Sequence, residues 1–320
     1  MVENILLNLG LSILFLLILV KFAGYAIKYS SKIARALHMQ EFIVSFFIIA
    51  VVSVLPEATI SIMSALKGDS QLALGTLLGS NVADLTLVFG IVALFSSGGI
   101  KVKSKILSDN FLYLILLFFP LLLGFDGKLS RLDGAILLLL GVFFFFKIYR
   151  ESKKFSKKFK EAKKEPFVKS LILLLLSLAV ILVSAFFTVK YAENFAENIK
   201  IPAMLIGVTV LALGTCLPEL AFSIKAIRKN HDQLALGDIL GTVVTDGTII
   251  LGLVAIINPF IYNPIRMYVL GGAVFLAAIF TFSFMKSEKS INKKEGLILI
   301  FFYIFFIIMQ FLLNRIMSVA

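Results

Sequence analysis

Apolar runs of bilayer-crossing length, separated by short charged or glycine-bearing stretches, follow one another along almost the whole chain. A run of about 20 apolar residues crosses the hydrocarbon core as a helix, because a helix satisfies every backbone N–H and C=O within itself. Ten runs are read: 4–22, 41–66, 71–96, 107–124, 132–147, 169–189, 201–226, 233–258, 264–285 and 296–314. They predict an all-α integral membrane protein with ten transmembrane helices. Composition agrees, since 60% of the 320 residues are hydrophobic and 16% charged, against about 45–50% and about 25% in soluble domains. One cysteine, Cys216, makes no disulfide framework, and with two histidines, His38 and His231, both at loop edges, no Cys/His zinc site is expected. Met1-Val2-Glu3-Asn4 lacks the basic stretch of a cleaved signal, so the first run is expected to stay.

Charge orients these runs. The net charge is +12, but the basic residues lie between apolar runs and form no soluble basic face, so nucleic acid is not an expected partner. The odd-numbered loops hold 24 of the 31 basic residues and all other segments together hold 7. Cytoplasmic loops carry the excess of Lys and Arg. This predicts a multi-pass cell-membrane protein with both termini outside and the odd loops in the cytoplasm. The stretch Lys147–Lys169 has ten basic and three acidic residues. It reads as a solvated, orienting cytoplasmic loop, with contact to anionic lipid as the alternative.

Self-comparison finds an internal repeat at one offset, 162 residues. Across 71–90 and 233–252 eleven of twenty positions are identical. Leu55-Pro56-Glu57 recurs as Leu217-Pro218-Glu219, Asp84 as Asp246, and Lys28-Tyr29 as Lys190-Tyr191. Five runs, an odd number, separate corresponding points, so the second copy crosses the membrane upside down. The expected division is a first transmembrane repeat over 1–146, a basic loop over 147–168 and a second, inverted repeat over 169–320. Inverted five-helix repeats recur in secondary transporters, with substrate held near the midplane between the halves.

Four acids lie well inside apolar runs: Glu57, Asp84, Glu219 and Asp246. A charged residue at the centre of a membrane helix costs about 2.5–3.5 kcal/mol on insertion scales, so four cost on the order of 10 kcal/mol if left alone. No Lys or Arg lies at comparable depth. The neutralising charge must come from outside the polypeptide, as protons or as bound cations. Pro56 and Pro218 lack an N–H, which frees the carbonyls of Val52 and Gly214. Freed carbonyls, carboxylates and hydroxyls are the oxygen ligands that hard cations such as calcium take. The matched hydroxyls Ser80/Thr242 and Ser53/Thr215 lie beside the acids; each either bonds its own helix backbone or joins the ligand set. Gly75, Gly79, Gly237 and Gly241 allow close helix packing. Asp238, whose mate is Thr76, lies near the end of a run and reads as a residue at the mouth of the ion path or at the surface. Cys216 reads as a small packing residue.

The two Leu-Pro-Glu helices, each followed by a Gly-Ser/Thr-x-x-x-Asp helix, resemble the alpha repeats of the calcium/cation antiporter superfamily, prokaryotic sodium/calcium exchangers above all. The resemblance implies that Glu57 and Glu219 are the principal calcium ligands, joined by Asp246, Ser80 and Thr242. It also implies that the first and sixth spans slide as a unit past a rigid core. The chain departs from the family pattern at Val54 and Cys216, where sodium-coupled relatives carry serines that help hold sodium, and at Asp84, where they often carry Asn.

The function expected is a secondary active antiporter that exchanges a divalent cation, Ca²⁺ before others, for Na⁺ or H⁺ by alternating access at a midplane carboxylate site. Metal ligands are expected at Glu57, Glu219, Asp84, Asp246, Ser80, Thr242, Ser53 and Thr215. Four full charges exceed one divalent ion, so one carboxylate, with Asp84 the candidate, is expected to carry a proton when calcium is bound. A proton-coupled or otherwise sodium-independent exchanger of another divalent metal such as Mg²⁺ is the alternative. A cation channel ranks below it, and an intramembrane aspartyl protease lower still, since the paired glutamates and prolines have no role there. No enzyme activity, cofactor, nucleic acid or obligate protein partner is expected; the partners are inorganic cations and membrane lipid.

Overall fold

The structure, a computed structural model, describes residues 2–36, 50–102, 110–152, 167–287 and 289–319. His38, residues 41–49 of the second run, the start of the fourth and most of the basic loop lie outside the described residues. Helices dominate what is described. The first half runs α1 (Val2–Ala36), α2 (Ala50–Ser53), α3 (Leu55–Leu66), α4 (Ser70–Ala83), α5 (Phe89–Phe95), α6 (Asn110–Leu123) and α7 (Arg131–Ser152). The second runs α8 (Phe167–Ile199), α9 (Ala203–Ile206), α10 (Ala212–Thr215), α11 (Leu217–Arg228), α12 (Asp232–Thr245), α13 (Leu251–Ile257), α14 (Pro264–Ser287) and α15 (Lys293–Val319). Among the described residues eight helices are long and apolar enough to cross a membrane, and two shorter apolar ones cover Leu55–Leu66 and Phe111–Asp126. Two helices outrun their apolar stretches, α1 to Ala36 and α8 to Ile199. Lys28 and Lys32, or Glu193 and Glu197, are good helix formers that need no lipid.

The repeat is structural down to element boundaries. Shifting α2, α3, α4, α5 and the start of α7 by 162 residues lands on α10, α11, α12, α13 and the start of α15. Even the helix caps correspond. The Ser130 hydroxyl donates to the Asp133 carboxylate (2.6 Å) and accepts from the Asp133 N–H (3.3 Å). At the equivalent turn the Asn292 N–H donates to Glu295 (2.8 Å) and the Glu295 N–H to the Asn292 side chain (3.0 Å). Both are reciprocal capping boxes, which satisfy helix-start donors that have no intrahelical partner.

The copies run head to tail. Ser70, opening α4, donates its hydroxyl to the carbonyl of Asn258, just past α13 (3.0 Å), and the Asn258 amide donates back (2.8 Å). At the opposite end the Lys101 N–H donates to the carboxylate of Asp232, opening α12 (2.9 Å), while the Gln233 amide donates to the Lys101 carbonyl (2.7 Å). Equivalent helices therefore lie antiparallel, as inverted topology requires. Two short antiparallel ribbons staple the same ends, β1 (Ile100–Lys101) with β4 (Ser290–Ile291), and β2 (Lys128–Leu129) with β3 (Phe260–Ile261).

Spans Ser70–Phe95 and Asp232–Ile257 are each 83% buried over their most apolar stretch, against 17% for Ile5–Ser30. They form the centre. Two matched glycine crossings clamp them to the outer helices. A Cβ on Gly90 would lie 2.6 Å from the Gly296 carbonyl oxygen, and one on Gly134 equally close to that of Gly252. The exposed Phe and Leu on α7 and α15, such as Leu139 and Phe301, face where lipid would be. α1 and α8 pack along each other, Phe15 stacking on Phe187 with ring centroids 4.7 Å apart. They share an apolar cluster separate from the main core, which reaches the centre through Ile60, Leu72, Ile206 and Leu211.

Candidate cation site

Two backbone devices place the acids. The first is a break. The chain leaves α2 at Ser53, turns through Val54 (φ −70°, ψ −7°) and resumes as α3; the second copy turns through Cys216 (φ −72°, ψ −5°) into α11. Pro56 and Pro218 fall in the first turn of the resumed helix, where an N–H would have no helical partner anyway. Glu57 and Glu219 occupy that same turn, at the positive end of the helix dipole. The second device is a widened turn. Asp84–Val88 and Asp246–Ile250 each form one π turn, and each begins on the aspartate itself. Such turns insert an extra residue into a helix and recur at functional sites. A carbonyl of the first π turn, that of Leu85, receives the Thr281 hydroxyl from α14 (2.6 Å).

All eight residues expected as ligands are fully buried: Glu57, Asp84, Glu219, Asp246, Ser53, Ser80, Thr215 and Thr242. The hydroxyls divide. Ser80 donates across the copies toward Asp246 (3.2 Å) and also approaches its own Leu77 carbonyl (3.0 Å). Ser53 lies 3.2 Å from the Thr242 hydroxyl of the other copy. Thr215 instead donates to the carbonyl of Ala212, one turn back (3.2 Å), although it stands beside Glu57. Cys216 packs as expected, its thiol directed at the Ser80 carbonyl (3.7 Å) and next to Asp84.

Asp238 requires a correction. It is fully buried, not at a mouth or surface, and accepts a 2.7 Å hydrogen bond from Ser53. Its position one turn before Thr242 turns it inward with the site face of α12. The sequence signal was present in the two-turn spacing Asp238, Thr242, Asp246, but the absence of an acidic mate hid it.

The defining property of this region is unmet charge. Both oxygens of Glu57, Asp84 and Glu219, and one oxygen each of Asp238 and Asp246, are buried with no hydrogen-bond donor. Buried polar groups in folded proteins are nearly always bonded, and an isolated buried carboxylate costs far more than a neutral group. The acids lie within electrostatic reach of one another, Glu57 with Asp84, Glu219 and Asp246. Among the described residues no three Asp, Glu, His or Cys side chains stand close enough to grip one ion together. Three further buried groups escaped the sequence reading: the Asn81 amide, and the hydroxyls of Ser61 and Ser223, all without partners. Ser61 and Ser223 are 162 apart and could have been found by following the repeat one turn past each glutamate.

A family model described as sodium/calcium exchanger protein matches residues 7–149 and 169–312. The chain belongs to the sodium/calcium exchanger family. That family is one of cation-exchanging membrane transporters, not enzymes, and its ions are cargo, not cofactors. Among similar proteins, the sodium/calcium exchanger MaX1 of Methanosarcina acetivorans is 28% identical, covering 95% of this chain and 98% of its own. The inner membrane protein YrbG of Escherichia coli is 28% identical over 81% of this chain and 83% of its own. Among solved structures, the sodium-calcium exchanger NCX_Mj soaked with Na⁺ and Sr²⁺ superposes with a TM-score of 0.68 at 27% identity, covering 94% of this chain and 98% of that one. In this exchanger-family protein the two matched segments leave out 150–168, within the basic-rich stretch Lys147–Lys169.

Proposed function

We propose that the protein is a secondary active antiporter that moves a divalent cation, calcium before others, against sodium or protons. The observation that carries this reading is the set of eight buried carboxylate oxygens without donors. Such a set is stable only when neutralised, and ions arriving from water are the available source. Because among the described residues no three acids converge on one point, an ion is held by one or two carboxylates at a time. Hydroxyls and the carbonyls at the Val54 and Cys216 breaks complete the shell. Glu57 and Glu219 are the first ligands, with Asp84 and Asp246 beside them and Ser53, Ser80, Thr215 and Thr242 as hydroxyl donors of oxygen.

Exchange follows from the same electrostatics. An emptied site would leave several like charges buried together, so the protein changes face only when loaded with the divalent ion or with its replacements. The separate apolar seam under α1 and α8 suits a sliding element, since dispersion and burial have no fixed direction to break. The excess of basic residues in the odd loops supports a cytoplasmic position for them and an outside position for both termini.

Flux into proteoliposomes tests this reading. Calcium uptake driven by an imposed sodium gradient, a proton gradient, or neither identifies the coupling ion, with Glu57→Gln and Glu219→Gln as controls. The reading expects gradient-dependent uptake that both controls abolish. Uptake that survives in both removes those residues from the mechanism, and single-channel conductance would replace antiport with a channel.

A further inference from the structure

Many buried hydroxyls on these helices bond the backbone carbonyl one turn back. Thr59 donates to Leu55, Ser64 to Ile60, Thr76 to Leu72, Thr245 to Gly241 and Thr248 to Val244, each four residues back. Ser61 and Ser223 do not. Both are fully buried, and among the described residues they are the only serine or threonine hydroxyls that are buried without a partner. The carbonyl four residues back, which each would ordinarily bond, is that of Glu57 or Glu219. Each hydroxyl therefore sits on the same helix face as the glutamate, about 6 Å further along the axis.

Their surroundings are matched. Ser61 lies between Glu57 and Ala65, on the α3 face that packs against α4 and α13; Ser223 lies between Glu219 and Ile227, on the α11 face that packs against α12 and α5. Their directions are opposite. From Glu57, Ser61 lies toward the membrane face where Ser70 meets Asn258; from Glu219, Ser223 lies toward the face where Asp232 meets Lys101.

Resting on the antiport reading above, we propose that Ser61 and Ser223 are relay sites for the transported cation, one on each of two access paths. A divalent ion exchanges its oxygen ligands one by one on its way to water. A hydroxyl one turn from a carboxylate supplies the next oxygen, so the ion is shared between Glu57 and Ser61 on one path and between Glu219 and Ser223 on the other. The ligand class is a partly dehydrated hard cation, for which a neutral hydroxyl oxygen is a weak, releasable ligand. Each relay serves one face because each lies on one side of its glutamate.

Calcium exchange measured in right-side-out and in everted membrane vesicles tests this. Ser61→Ala raises the half-saturating calcium concentration about tenfold in one vesicle orientation and leaves the other within twofold; Ser223→Ala shows the reverse pattern. Maximal rates stay close to wild type, and Ser61→Thr and Ser223→Thr, which keep the oxygen, restore the affinity. Melting temperatures of the alanine variants do not fall, because removing an unbonded buried hydroxyl relieves a cost instead of breaking a bond. Equal shifts on both faces, no shift on either, or a lowered melting temperature that accounts for the loss would overturn the proposal. A wild type that exchanges no calcium at all overturns the antiport reading and the relay with it. A wild type that exchanges, with variants that fail to separate by face, overturns the relay alone.

Discussion

The two copies share a backbone and differ in charge. The breaks at Val54 and Cys216, the π turns on Asp84 and Asp246, the capping boxes and the glycine crossings all coincide under the 162-residue shift. At the position one turn before the matched hydroxyl (Ser80 or Thr242), however, the first copy has Thr76, bonded to its own Leu72 carbonyl, while the second has Asp238, bonded across the interface to Ser53. Asn81 likewise faces the site in the first copy where the second has Val243. Duplication thus supplied geometry that serves both membrane faces alike. On the proposed antiport reading, divergence of a few side chains then changes the oxygens offered to a cation without disturbing the frame. Even the lining differs: Leu16 of α1 sits where a side chain on Gly214 would be, while the equivalent residue is Val52.

The largest expected effects treat the copies as equals. Glu57→Gln and Glu219→Gln each reduce exchange by about 100-fold or more, comparable to stripping one partner from a buried charge pair, read as initial flux in proteoliposomes. An effect confined to one glutamate would break the equivalence. Next comes the asymmetric element. Asp238→Asn weakens apparent calcium affinity by about tenfold, in line with a hydrogen bond to a charged group. Ser53→Ala does the same, and the double variant is no worse than either single one, because both remove one interaction. Full additivity would show that Asp238 acts independently of Ser53.

The frame itself yields a smaller, symmetric effect. Gly90→Ala and Gly134→Ala force apart helices whose backbones touch at Gly296 and Gly252. Each costs about 1–3 kcal/mol of stability, seen as similar falls in melting temperature in detergent. The smallest effect is at the rim. Lys67 bonds Glu193 at 3.0 Å, linking α3 to α8, but both side chains are partly exposed. Lys67→Met changes stability by less than about 1 kcal/mol, and a larger change would show that this contact latches the α1–α8 pair.

Much of this was readable from the residues. Apolar length, the offset of the repeat and the four acids without basic partners led to the spans, the inversion and the buried carboxylates, because each reflects a cost that membranes impose on any chain. The π turns were not readable, since an extra residue in a helix turn leaves no hydrophobic period and no cap residue. Asp238 was misplaced because its bond to Ser53 spans 185 residues and joins two copies. Ser61 and Ser223 look like ordinary helix serines until the structure shows that neither bonds its own backbone.

Equilibrium binding is the most direct test of the idea that the donorless acids hold the transported ion. Calcium titrated calorimetrically into the purified, detergent-solubilised protein is expected to give saturable binding heat, which disappears in the Glu57→Gln/Glu219→Gln double variant while its melting temperature stays at or above that of the wild type. Calcium binding of unchanged affinity in a folded double variant would contradict the account.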